Sequence, residues 1–224
     1  EGARLAMLAR DATRLETALA TLATPESHVA ISGDARDSDA VAKMVAESAA
    51  QLGGLDGVVH SAGEDLIAPF ADTSLGAWQN ILDANLTSTF LVCQESVPHL
   101  RANGGGTIVT LASGGALSPL PGRTAYCAAK AGVVMLSKTL ALELAADNIR
   151  VNALCPGAID TPMLRASAGG AHGDAMPPEI VARFAMGRVG EPDEIARSVL
   201  YLTSDDSSFV TGIALAADGG RTFH

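Results

Sequence analysis

Tyr126 and Lys130 stand four residues apart in the stretch TAYCAAKAGVVML, residues 124–136. In a helix that spacing puts both side chains on one face. An ammonium beside a phenol favours the phenolate and lowers its pKa from the usual value of about 10. A tyrosine tuned in this way can give and take a proton near neutral pH. Two polar residues at the wet end of a buried helix would have the same spacing, so the pair alone does not decide. Ser113 follows directly on the apolar run TIVTLA, where its hydroxyl could hold a carbonyl oxygen near Tyr126. Asn85 lies inside a predicted helix, a place where asparagine is a poor fit.

These residues need elements to position them. Short apolar runs predict strands over 3–9, 28–33, 56–63, 104–113, 149–157 and 212–220. Between them, helical spacing predicts helices over 10–22, 37–53, 74–102, 123–147 and 191–204. Asp37 or Ser38 opens the second helix and Gly53 closes it. Pro98 should bend or end the third. Residues 161–188 read as irregular. The strands are continuous apolar runs rather than alternating ones, and they alternate with helices. Both features predict an α/β protein with a parallel sheet covered on both faces. Such sheets bind ligands at the carboxyl ends of their strands, here residues 10–11, 34–35, 60–65, 113–117 and 156–162.

In the order Asn85, Ser113, Tyr126, Lys130, these residues resemble the catalytic tetrad of the short-chain dehydrogenase/reductase family. HSAG (60–63) stands where that family has an NNAG turn, with His60 and Ser61 departing from it. DANLTSTF (83–90) is similar to the segment that carries the asparagine. PGAIDTPM (156–163) is similar to the turn beside the nicotinamide, and GRVGEPDEIARSVLYLTSDDSSFVTGIALAADGG (187–220) to the C-terminal helix and strand. Within the family, the chain resembles the 3-oxoacyl carrier-protein reductases, although no motif in it marks a thioester substrate.

The resemblance implies a Rossmann-type doubly wound sheet and hydride transfer between C4 of a nicotinamide and a carbonyl or secondary alcohol. Tyr126 would be the acid/base and Ser113 would hold the substrate oxygen. Lys130 would bind the nicotinamide ribose and lower the tyrosine pKa, and Asn85 would hold a water linking Lys130 to solvent. Ala62, Gly63, Pro156, Gly157, Ile159 and Thr161 would line the cofactor. Asp34, with the Ala35 backbone, would receive the adenine. Cofactor choice falls at Ala9 and Arg10. With no acid at Ala9 to accept from a ribose 2′-OH, Arg10 suits the 2′-phosphate of NADP(H). Asp11 more simply caps the next helix, and NAD(H) remains the second option. The other readings are an NAD-dependent alcohol, sugar or steroid dehydrogenase, or a truncated and catalytically silent subunit or binding module.

The resemblance also implies a strand, a TGxxxGxG loop and a helix ahead of EGARLAMLAR, and the sequence as written holds none of these. The missing strand would lie between the strands 3–9 and 57–60. One domain is expected over 1–224, with 162–188 as a substrate lid hinged at Gly169, Gly170 and Gly173. Arg165 and His172 are its candidate polar contacts. Helices 74–102 and 123–147 are the expected interface of a homotetramer or homodimer, around Val133, Val134, Leu140 and Leu144.

The chain has 224 residues, 48% of them hydrophobic, and a formal net charge of −10. That charge argues against nucleic acid and anionic membranes as partners. The odd set of three cysteines, Cys93, Cys127 and Cys155, forms no CxxC pair and fits free thiols in a cytoplasmic protein. No metal site is expected. The partner expected is a small carbonyl or alcohol substrate.

Overall fold

The structure, a computed structural model, describes residues 2–168 and 176–222. The chain begins with β1 (Ala6–Ala9), α1 (Ala12–Ala20), β2 (Val29–Ser32), α2 (Ser38–Leu52) and β3 (Gly57–His60). It continues with α3 (Leu75–Leu82), α4 (Ser88–Ala102), β4 (Gly106–Leu111), α5 (Thr124–Leu144) and β5 (Ile149–Pro156). The last elements are α6 (Pro162–Ala168), α7 (Pro178–Val181), α8 (Pro192–Thr203) and β6 (Ala214–Ala217). Every strand pairing is parallel, in the orders β1-β2 and β3-β4-β5-β6. This is a Rossmann-type α/β fold, as the sequence predicts.

One side of the core joins Ile31 of β2 to Val41 and Val45 of α2, Val97 and Leu100 of α4, and Ile149 and Val151 of β5. On the opposite side, Leu202 of α8 packs on Val109 and Leu154. Burial on both faces is why β4 and β5 read as unbroken apolar runs. Each fully buried aliphatic side chain contributes roughly 1.5–3 kcal/mol. Local signals set the ends of α2. The Asp37 carboxylate accepts from the Asp39 and Ala40 amides, and Gly53 closes the helix at φ 81.

The strands form two sheets, because β1 and β3 share no hydrogen bonds. The break falls between strands 3–9 and 57–60, which the sequence as written leaves without a shared edge. Three expectations change. Helix 74–102 is divided by a π-turn, Asp83–Thr87, and its second half runs on through Pro98 to Ala102. Residues 161–188 are not wholly irregular, since α6 and α7 lie within them. The prolines at the starts of α6 and α7 carry this signal, because a proline suits the first helical position. Gly169, Gly170, His172 and Gly173 lie outside the described residues.

The third change concerns the expected interface. Val133, Val134 and Leu144 are buried, and Leu140 packs against the core. They hold α5 to its own subunit. The large apolar residues that these helices leave exposed are Leu75, Phe90, Met135 and Leu142. α5 is long and apolar enough to cross a membrane by length and composition. Its burial against β5 and the α3 and π-turn segment marks it as a core helix.

Candidate active site

Tyr126 and Lys130 sit in the first two turns of α5, beside the carboxyl ends of β4 and β5. Lys130 is buried, and its Nζ donates to the Leu111 carbonyl at 2.8 Å, on the last residue of β4. The ammonium lies 5.8 Å from the centroid of the Tyr126 ring. Ser113 follows β4 two residues on, and its Oγ accepts from the Gly115 amide at 3.0 Å. This hydroxyl begins a short 3-10 turn, Gly114–Ala116, which packs against α5.

Asn85 is fully buried in the π-turn. Its Nδ2 donates to the Ile81 and Glu64 carbonyls, both at 2.9 Å, while its Oδ1 has no partner among the described residues. π-turns inside helices gather at functional sites because they re-aim one side chain. A Cβ on Gly63 would collide with Asn85 Oδ1 and come to 3.4 Å from Lys130 Nζ. Gly63 is therefore the point on which the asparagine and the lysine converge. The structure thus brings together Asn85, Lys130, Tyr126, Ser113 and Gly63.

The electrostatics differ from the expectation for Tyr126. Burial pushes the phenol above its ordinary pKa, and the Ser113 hydroxyl beside it offsets only part of that. Lys130 does not lower it in this arrangement. Burial holds the ammonium down to about 8, so the lysine has lost its charge before the phenol ionises. His60, at the end of β3, is also buried, with Nε2 3.2 Å from Ser88 Oγ. Burial, reinforced by the Lys130 charge, takes its pKa down to about 4. It is a neutral packing residue that sequence reasoning treated only as a departure.

The expected cofactor contacts divide into two groups. Ala62 is exposed at the turn after β3. Pro156 ends β5, and Gly157 follows where a Cβ would press on the Asp218 backbone at 2.9 Å. Ile159 bridges to Gly190, and the Thr161 hydroxyl donates to the Ile159 carbonyl at 3.2 Å. Pro156, Gly157, Ile159 and Thr161 line one cavity with Ser113 and Tyr126.

The second group lies at the ends of β1 and β2 and is occupied by ion pairs. Arg10 donates to Glu64 at 2.9 Å. The Asp34 carboxylate is held by Arg36, with Nη2 at 2.7 Å, which keeps its pKa below the usual carboxylate range. Ala35 beside it packs against the core. Asp11 caps α1 by accepting from the Arg14 amide. Arg36 and Glu64 were missed by sequence reasoning, although an arginine two residues after Asp34 was a readable signal. Arg165, expected as a substrate contact, is instead paired with Asp160 through Nε at 2.6 Å and Nη2 at 2.5 Å.

A cavity of about 450 Å³ opens onto Ser113 and Tyr126. The segment expected to be a lid supplies much of its wall, including Met163, Leu164 and Phe184. Among the described residues no cluster of His, Cys, Asp or Glu is placed to hold a metal ion.

The model for Enoyl-(Acyl carrier protein) reductase matches residues 1–222. The chain belongs to the short-chain dehydrogenase/reductase family. It is 38% identical over 184 residues to a 3-oxoacyl-[acyl-carrier-protein] reductase of Thermotoga maritima, covering 82% of this chain and 73% of that one. It is 32% identical to 2-(S)-hydroxypropyl-CoM dehydrogenase 3 of Xanthobacter autotrophicus, covering 99% of this chain and 88% of the relative. A protein of Burkholderia xenovorans described as a short-chain dehydrogenase/reductase superposes with a TM-score of 0.92 at 30% identity. That match covers 100% of this chain and 87% of the other. Members of this family are oxidoreductases that use a nicotinamide cofactor, and so this chain is an oxidoreductase of that type.

Proposed function

We propose that the chain is an NADP(H)-dependent oxidoreductase of a small carbonyl/alcohol pair, with Tyr126 as acid/base. The observation that carries this reading is the convergence of Asn85, Ser113, Tyr126 and Lys130 at the strand ends. Two features fit a nicotinamide nucleotide there. Gly63 leaves the space beside Asn85 Oδ1 and Lys130 Nζ free of a side chain, and Asn85 Oδ1 is buried with no partner among the described residues.

The hydride chemistry belongs to the bound cofactor. In the reductive direction Tyr126 gives its phenolic proton to the developing alkoxide, and in the oxidative direction it takes that proton back. Ser113 donates to the same oxygen and stabilises its charge. Lys130 holds the nicotinamide ribose, and Asn85 holds a water that connects Lys130 to solvent. Ala62, Gly63, Pro156, Gly157, Ile159 and Thr161 line the nicotinamide half. Arg10, Asp34 and Ala35 take the adenosine half.

A second reading, NAD(H) preference, is favoured by one observation: Glu64 already engages Arg10. The exposed Phe90, Met135 and Leu142 on α4 and α5 suit a homotetramer or homodimer, and the free thiols suit the cytoplasm. Light scattering of a Leu142→Lys variant tests the assembly; an unchanged mass would rule these helices out as the interface.

Titration of the protein with NADPH and NADH, followed by nucleotide fluorescence, tests the cofactor reading. Tyr126→Phe should bind the nucleotide as the parent does and lose at least about 100-fold in kcat on a panel of small ketones. Full activity in that variant would overturn the acid/base assignment.

A further inference from the structure

The cavity that reaches Ser113 and Tyr126 carries five charged side chains: Asp65, Arg123, Glu179, Arg183 and Arg221. Three of the five are arginines, in a protein whose formal net charge is −10. Their hydrogen bonds show how little of this positive charge is used internally. Arg123 spends its Nε on Asp65 Oδ2 at 2.8 Å, and its two terminal nitrogens have no partner among the described residues. Arg183 spends its Nε on the Glu179 carbonyl at 3.2 Å and leaves its terminal nitrogens likewise unpaired. The Arg221 guanidinium has no hydrogen-bond or ion-pair partner among the described residues.

The acid nearest Arg221 in the chain does not neutralise it. Asp218 Oδ1 accepts from the Gly220 amide, and Oδ2 accepts from the Thr222 amide and hydroxyl. These bonds build the turn after β6 that brings Arg221 to the cavity wall. The cavity thus holds one settled pair, Asp65 with Arg123, and a surplus of guanidinium over carboxylate. A planar guanidinium with free terminal nitrogens binds an oxyanion through two parallel bonds. A local surplus of cations also answers the repulsion that an acidic protein exerts on a small anion.

We infer that the substrate of this site carries an oxyanionic group, a carboxylate or its equivalent, held by Arg183 and Arg221 while its carbonyl faces Ser113 and Tyr126. This inference rests on the oxidoreductase reading above and narrows its substrate class. Arg123 supplies a third contact from the N-terminal end of α5, three residues ahead of Tyr126.

The test compares ketones that differ only in charge: 4-oxopentanoate, 5-oxohexanoate and 6-oxoheptanoate against their methyl esters. Binding to the protein–NADPH complex is read by the change in nucleotide fluorescence, and KM is measured wherever turnover occurs. At least one acid should bind roughly tenfold more tightly than its ester. Arg221→Met and Arg183→Met should each narrow that gap several-fold, and 0.5 M salt should narrow it too. Ester binding and NADPH affinity should stay put, and Arg221→Lys should keep part of the preference.

Equal or tighter binding of every ester, a gap that survives the double variant, or binding of none of the six compounds would overturn the inference. If the variants weaken NADPH and leave the acid-to-ester ratio alone, the arginines serve the cofactor. The substrate inference then fails while the cofactor reading stands. If the parent protein binds no NADPH, the cofactor reading fails first and the substrate inference falls with it.

Discussion

Lys130 Nζ lies 5.8 Å from the centroid of the Tyr126 ring and donates to the carbonyl of Leu111, the last residue of β4. The helix start and the strand end are thereby tied through one buried ammonium. Burying that charge is costly, and one backbone acceptor offsets it only in part. The lysine answers by losing its proton early, at about 8 instead of 10.5.

Removing Lys130 should therefore separate stability from activity. With a folded pKa of about 8 and an unfolded one of 10.5, the unfolded chain binds more protons across that window. Stability contributed by this group rises with pH from about 8 to 10.5. Lys130→Met should be as stable as the parent or more so at pH 7, should lack that rise, and should lose at least about 100-fold in kcat. Chemical denaturation at pH 7 and pH 10 checks the first two points. A strongly destabilised variant at pH 7 would show that the ammonium supports the fold rather than the chemistry.

His60 gives the complementary prediction. Its folded pKa of about 4 lies below the ordinary 6.5, so the unfolded chain takes up a proton first as the pH falls. Stability should drop between pH 6.5 and 4, by up to about 3 kcal/mol from this residue alone. His60→Asn keeps a hydrogen-bonding group near Ser88 and cannot titrate. Urea melts at pH 7 and pH 5 should show a smaller loss for the variant. Equal losses would mean that His60 is protonated inside the fold at little cost.

Much of this was legible in the sequence, because the signals were local. The unbroken apolar runs of β4 and β5 reported burial on two faces. Asp37 and Gly53 bounded α2 by their own chemistry. Asn85, Ser113, Tyr126 and Lys130 were readable as residue types in order through the resemblance to the family, and the fold brings them together. The π-turn at Asn85 was not readable: within it Asn85 Nδ2 reaches the Glu64 carbonyl of a distant segment, a contact that only the fold supplies. Arg10 reads as a free cation along the chain, and only the fold brings Glu64 to it. The tyrosine's tuning was misread for the same reason: spacing places an ammonium near a phenol but says nothing of how deeply both are buried.

Gly63 is the tightest steric point of the site. A methyl group there would strike Asn85 Oδ1 and crowd Lys130 Nζ. Neither neighbour can retreat easily, since Asn85 is anchored by two hydrogen bonds and Lys130 by one. Gly63→Ala should cost roughly 1–3 kcal/mol of stability and reduce kcat more than nucleotide affinity. Thermal melts and steady-state kinetics measure both. Wild-type kinetics in this variant would show that Asn85 and Lys130 need not keep this arrangement.

The pairing of Arg10 with Glu64 bears on cofactor choice. The side chains are 58% and 32% exposed, so the 2.9 Å contact is worth little as a stabilising interaction. Its consequence is competitive: a 2′-phosphate that used Arg10 would have to displace the Glu64 carboxylate. Arg36 lies 3.9 Å from the same carboxylate, so Glu64 faces two cations at once. Glu64→Gln should free Arg10 and raise the NADPH-to-NADH affinity ratio about three- to tenfold, mostly by tightening NADPH. Arg10→Ala should lower that ratio. Melting temperature should barely move in either variant. Binding of 2′-AMP against AMP reads the same preference without any turnover. A ratio unmoved by both substitutions would place the 2′-phosphate elsewhere and leave the Arg10–Glu64 pair as surface charge.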